Sequence, residues 1–224
     1  MSADVETPAT NITAEVEALR VDAPLAAADL DDGAWARARG VEIARYWSGE
    51  PAPLSRRAQA RLVWTDDALL ARFECPQAEP LIVSAEPRLD EKSLGLWDRD
   101  VCEMFVAPTA GEVRRYYEFE VAPTGEWLDL AVDVTAGAGL AREWDYRSGM
   151  TVAARVREGS ITLALRVPWP AFGCAPRPGE RWRANLFRCV GKDPTRGYVA
   201  WQPTHAPEPS FHVPEKFGYV RFTR

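Results

Sequence analysis

The sequence has no apolar run near the roughly 20 residues that a bilayer-spanning helix needs, so no membrane segment is expected. Histidine is scarce: His205 and His212 both fall in one Pro-rich stretch near the C-terminus. With no GxSxG turn either, Ser-His-Asp chemistry has little to build on. Glycine-rich phosphate loops are absent. Basic charge is in deficit, with 27 Lys and Arg against 33 Asp and Glu and a formal charge of −6. Nucleic acid and anionic membranes select basic patches, so neither is expected as a partner. The N-terminal MSADVETPATNITAEVEALR has no basic n-region and no apolar h-region; no secretory signal is read there, and a cytoplasmic location is the default. The four cysteines (Cys75, Cys102, Cys174, Cys189) lack CxxC spacing, which leaves no zinc motif and no assignable disulfide. They read as small buried hydrophobes.

What is present is a rich supply of core-forming residues, 46% hydrophobic, with nine Trp. Residues 1–11 are polar and read as a disordered tail; residues 12–224 contain no convincing linker or repeat and read as one domain. AEVEALRV suggests an edge strand. In LDDGAWARARGV, Asp31 or Asp32 is placed to cap a short helical turn anchored by Trp35. AQARLVW and ALLARFEC flank Thr65-Asp66-Asp67, a hairpin by its turn chemistry. LIVSAE follows as a short strand, and TVAARVRE and SITLALRVPW flank a second turn at Glu158-Gly159. RWRANLFRCV, GYVAW and FGYVRF supply the last strands. The segment Thr135–Gly149, rich in Gly and Ala, reads as a long connection carrying Trp144 and Tyr146. Trp35, Trp64, Trp169, Trp182 and Trp201 read as core. Closely spaced strands without a long amphipathic helix predict an all-β fold, an antiparallel two-sheet β-sandwich of immunoglobulin or jelly-roll type with short helical turns.

One stretch, Leu94–Val132, concentrates the chemistry. A loop bearing Trp97 feeds the strand DVCEMFVA, then YYEFEV, then a tight APTG turn and EWLDLAV. Side chains at i and i+2 share a strand face, so Glu118 and Glu120 point the same way, with Glu103 placed to join them. Like charges gathered on one face repel and need compensation. Arg pairing (Arg188, Arg115, Arg99), contact with sugar hydroxyls, or a cation such as Ca²⁺, which takes six to eight oxygens, would each supply it. Trp127 and Asp129 alternate onto one side of their own strand, which suggests that Trp127 lies on the acidic face.

Four segments resemble one family. LDDGAWARA, RLVWTDDALLARFEC, LWDRDVCEMFVAP and VAWQPTHAPEPSFHVPEKFGYVRF are similar, in that order, to signatures of carbohydrate-binding module family nine, a β-sandwich group related to DOMON domains. The resemblance implies a non-catalytic module whose partner is a saccharide or polysaccharide stacked between two aromatic rings, here at Trp97 and Phe211. It implies hydrogen bonding by Asp100 and Glu103, and it places Glu120 where the family carries an Arg. Glu118 joins the same acidic face, and Arg188 is the candidate to support it; carboxylates are strong acceptors for sugar hydroxyls. The family is often extracellular. No cofactor is implied; Ca²⁺ is the one ion under consideration. DOMON kinship raises haem, for which the chain offers Met104 and Met150 with His205 and His212, but Met104 lies inside a strand that reads as core. Two rival functions stay open: a structural or protein-interaction sandwich that has lost the sugar site, and a glycoside hydrolase acting through Glu103, Glu118 or Glu120, which would need two carboxyls roughly 5–10 Å apart.

Overall fold

The computed structural model describes residues 14–135 and 139–224; the expected N-terminal tail lies outside them. The strands in chain order are β1 (Glu15–Arg20), β2 (Val41–Ile43), β3 (Arg45–Tyr46), β4 (Ala58–Trp64), β5 (Ala68–Pro76), β6 (Val101–Ala107) and β7 (Arg115–Val121). They continue with β8 (Trp127–Thr135), β9 (Gly139–Glu143), β10 (Thr151–Arg157), β11 (Ser160–Pro168), β12 (Arg181–Val190), β13 (Gly197–Ala200) and β14 (Gly218–Phe222). The helix α1 (Gly33–Arg37) and a few 3₁₀ turns complete the secondary structure of the described residues. The protein is predominantly β, with its strands in one large curled sheet.

The order along that sheet is β10-β11-β5-β4-β1-β14-β12-β6-β7-β8-β9. All strand pairs are antiparallel except those of β1, which runs parallel to both β4 and β14. This corrects two expectations: AEVEALRV is interior rather than an edge, and the sheet is mixed. Val16 and Ala18, on one face of β1, are fully buried, so the segment is inserted where two antiparallel groups of strands would otherwise end. LIVSAE forms no strand. The segment read as a long connection contains β9, which pairs with β8 from Ala131 opposite Glu143 onward.

Local chemistry sets the turns. Thr65 N–H donates to the Ala68 carbonyl at 2.9 Å, and its hydroxyl donates to Asp67, closing the β4–β5 hairpin. Gly125, at φ +87°, takes the left-handed position of the APTG turn between β7 and β8, a conformation in which only glycine avoids a Cβ penalty. Asp32, not Asp31, caps α1 by accepting from Ala34 N–H at 2.7 Å; Asp31 instead pairs with Arg155.

The curl brings the β5/β11 end of the sheet against the β6/β7 region. Phe73, Leu163, Met104, Phe119, Trp169 and Trp182 meet in the main core. Trp35 and Trp64 are also buried, whereas Trp201 is half-buried against that core. Cys75, Cys102 and Cys189 are buried free thiols; Cys174 is exposed. Because β6 and β7 are buried on both faces, their outer face carries a second apolar cluster, with Phe105, Tyr116, Leu128, Leu130, Phe187 and Phe211. The acidic residues lie on this second face.

Candidate functional site

Strand register assembles the site. Glu103 on β6 lies directly opposite Glu120 on β7, and Phe105 opposite Glu118. Extending each row across the sheet, Phe187 lies opposite Glu103 and Leu128 opposite Glu120; in the next row Asn185 lies opposite Phe105 and Leu130 opposite Glu118. Three carboxylates are thereby set among apolar neighbours, each offering an oxygen within 4.8 Å of the others. They are 1%, 2% and 0% exposed for Glu103, Glu118 and Glu120.

The loop before β14 comes down over these rows. Phe211 stacks on Phe187 with centroids 3.9 Å apart and planes 12° apart. His212 lies over Phe105 at 5.3 Å, its Nδ1 hydrogen-bonded to the Tyr116 hydroxyl at 2.7 Å and its Nε2 3.9 Å from Glu118 Oε2. Trp97, in the 3₁₀ turn Leu96–Asp98, meets Trp144 at 6.4 Å. Arg196 holds that turn by donating to the carbonyls of Trp97, Arg99 and Gly191. Between these parts is an open pocket of about 380 Å³. Glu103 and Glu118 line it, with aromatic walls from Trp97, Trp144, Tyr198 and Phe211.

The electrostatics follow from burial. Desolvation, reinforced by the neighbouring Glu118 charge, pushes Glu103 up to about 8. Desolvation likewise lifts Glu118 to about 6, with Arg142 and a hydrogen bond to Glu120 pulling the other way. Glu120, desolvated and facing both other carboxylates, is raised well above the ordinary carboxylate range. His212 is held neutral by burial, down to about 4. Glu103 accepts a thiol hydrogen bond from Cys189 at 3.3 Å, whereas Glu118 Oε2 and both Glu120 oxygens have no hydrogen-bond partner among the described residues beyond the contact between these two carboxyls. Such a floor can share protons between carboxyls, accept from hydroxyls, or receive a cation.

The profile of carbohydrate-binding family 9 matches residues 44–222, most of the chain. The chain belongs to carbohydrate-binding family 9. No curated protein matches it significantly. Among solved structures it is similar to a Bacteroides uniformis protein to which carbohydrate binding has been attributed, at 19% identity and a TM-score of 0.71, covering 94% of this chain and 99% of that one. It is also similar to a family 9 module from Caldicellulosiruptor kristjanssonii. The glucose complex of that module gives 14% identity and a TM-score of 0.68, covering 94% and 97%; the cellotriose complex gives 13% and 0.66, covering 94% of each chain. At these identities the likeness establishes the fold. The N-terminal LDDGAWARA segment lies ahead of the family match.

Within this family 9 fold, Trp97, Glu103, Glu118 and Phe211 line one pocket, and Glu120 sits in contact range behind it. Asp100 and Arg188 are placed elsewhere. Asp100 is buried, accepting from Gly191 N–H at 2.8 Å and Ile82 N–H at 3.3 Å, and so fastens the loop chain rather than reaching the pocket. Arg188 lies opposite Cys102 and shares its face, the reverse of the one that carries Glu103. Its guanidinium donates to the Arg57 and Pro76 carbonyls and to Gln77 Oε1. Trp127 and Asp129 lie opposite Val121 and Phe119, also on the reverse face from Glu118 and Glu120, so the expectation for Trp127 is corrected. Asp129 there forms a buried pair with Lys92 at 2.6 Å.

Sequence reasoning missed Arg142, Trp144, Tyr198 and His212, all of which line the pocket. For two of them a signal existed: Leu140, Arg142 and Trp144 alternate with a period of two, hidden in a Gly- and Ala-rich setting. Arg142 lies opposite Val132, on the acidic face, and forms no hydrogen bond or ion pair among the described residues.

Proposed function

We propose that this pocket binds a saccharide without catalysing a reaction on it. The observation that carries the reading is an aromatic-walled pocket with carboxylates in its floor, in a chain of carbohydrate-binding family 9. Pyranose rings offer C–H faces that lie well on indole and phenyl rings, while their hydroxyls donate to carboxylates. In this reading Trp97 is one platform. Phe211 is the other, braced from behind by Phe187 so that its ring holds its orientation at little entropic cost. Glu103 and Glu118 accept from hydroxyls, and the unpaired Arg142 donates. The family 9 module that binds glucose and cellotriose supports a glucose-type ligand as the first probe. The curled sheet acts in this proposal as the two facing layers of a sandwich, joined through β1, with the pocket on the outer face of one layer.

Calorimetry with glucose and cello-oligosaccharides tests the proposal. Saturable heat with the wild type, abolished in Trp97→Ala at unchanged thermal stability, is expected. Silence across a broad glycan panel refutes it and favours the protein-interaction alternative. Release of an aryl glycoside's leaving group, lost in Glu118→Gln, would instead show a hydrolase.

A further inference from the structure

The carboxylate floor has more negative capacity than its surroundings compensate. Glu103 faces it from β6, Glu118 and Glu120 from β7, and the Cys189 thiol from β12. Above it, His212 is neutral. Among cations, Arg142 on β9 is the one that lines the pocket. Arg196, outside the pocket lining, donates to three neutral carbonyl oxygens and lends Glu103 some positive potential, and Arg188 lies on the reverse face. Asp98 adds further negative potential at Glu120. The buried oxygens of Glu118 and Glu120 have no partner beyond each other among the described residues, and the cluster relieves its mutual repulsion either by holding protons or by receiving a positive charge, which a neutral hydroxyl does not bring.

Resting on the saccharide reading above, we infer that the preferred ligand is an amino sugar, whose protonated amine is held between Glu103 and Glu118 with Glu120 behind them. An ammonium brings three N–H donors and one positive charge, matching three carboxylates whose pocket is lined by one cation, Arg142. The same aromatic walls that take a pyranose face also favour a cation, by the attraction of a positive charge to a ring face. A divalent metal ion fits less well: Ca²⁺ takes six to eight oxygens, and this floor offers three side chains set among Phe105, Phe187, Leu128 and Leu130. Because the empty floor retains protons, the arriving ammonium displaces about one of them into solvent.

The test is calorimetry on the full chain with D-glucosamine, N-acetyl-D-glucosamine and D-glucose. It is run at about pH 6.5, where an amine that titrates near 7.7–8.0 is mostly charged. Wild type and Glu120→Gln are compared, with thermal melts to verify folding and Glu103→Gln as a second variant. Glucosamine is expected to bind on the order of 10- to 100-fold tighter than glucose or the acetylated sugar, the worth of a charged hydrogen bond. Repeating the titration in buffers of different ionisation enthalpy should reveal the released proton. The preference should collapse to within a few-fold in either variant; glucose affinity should be retained in Glu120→Gln, whose side chain does not line the pocket, whereas Glu103→Gln should also weaken glucose itself, so there the ratio of the two affinities is the readout. Glucose bound as tightly as glucosamine overturns this inference and leaves the saccharide reading standing. A preference that survives in both variants overturns the assignment to the carboxylate floor. No binding of any sugar overturns the saccharide reading itself, and the amino-sugar inference with it.

Discussion

Raising the pH from 6.5 to 8 should destabilise this protein, and replacing Glu103 by Gln should remove part of that loss. Folded Glu103 is pushed up to about 8 from its ordinary 4.5, so across this interval the native state retains a proton that the unfolded chain has already released. Stability falls wherever the folded state binds more protons. At about 1.4 kcal/mol for each pH step of one, Glu103 alone accounts for a loss of about 2 kcal/mol. Glu120, also raised, acts in the same direction. The interval isolates these groups. Glu118, raised to about 6, completes most of its change below it. His212, lowered from 6.5 to about 4, contributes in the opposite sense, but mostly below 6.5; the unfolded ring, half charged at 6.5, loses the rest of its charge within the interval and offsets only about 0.4 kcal/mol. Urea denaturation of the wild type and Glu103→Gln at both pH values measures the effect. The stability gap should move by about 2 kcal/mol in favour of the variant. A gap that stays constant, or moves toward the wild type, refutes the conclusion that folded Glu103 holds its proton.

Asp129→Ala should cost about 3–5 kcal/mol in chemical denaturation, because it strands the buried Lys92 ammonium and the Ser148 donors; a cost under about 1 kcal/mol would show that the pair is not structurally important. Gly218→Ala should destabilise by about 1–3 kcal/mol, since a Cβ there would lie 2.6 Å from the Ala14 carbonyl oxygen and 2.7 Å from the Trp201 ring. An unchanged melting temperature would contradict that close approach of β14 to its neighbours. By contrast, Arg114→Ala removes an ion pair with Glu112 in which both side chains are mostly exposed, and a shift above about 0.5 kcal/mol would be unexpected.

The site was partly legible because its parts follow local rules. Two-residue periodicity put Glu118 and Glu120 together, the APTG turn kept β7 and β8 adjacent, and the polar context of Trp97 marked it as a ring beside the acidic face. Arg188 shows where that reasoning stops. It sits between Phe187 and Cys189, both on the acidic face, and a strand offset of one residue reverses the face. Nothing in RANLFRCV states which parity faces the pocket. Phe211 was named only through the family resemblance, and His212 was visible only as a member of a Pro-rich loop; their position above Phe187 and Phe105 depends on where that loop closes.

From sequence alone came the β-rich class, the turns, the convergence of acidic side chains and the family resemblance, because each depends on neighbours within a few residues or on ordered short motifs. Tertiary structure alone decided that β1 joins the two groups of strands in parallel, that Glu103 stands opposite Glu120, and that β9 brings Arg142 and Trp144 to the rim. It also seated Phe211, which the resemblance had paired with Trp97 from more than a hundred residues away, against Phe187 in the lining of the same pocket. The physical reason is that closing a long loop costs little more than closing a short one, so separation along the chain says little about proximity. Inter-strand register is set by packing of whole faces, and it determines whether a side chain meets the ligand or the core.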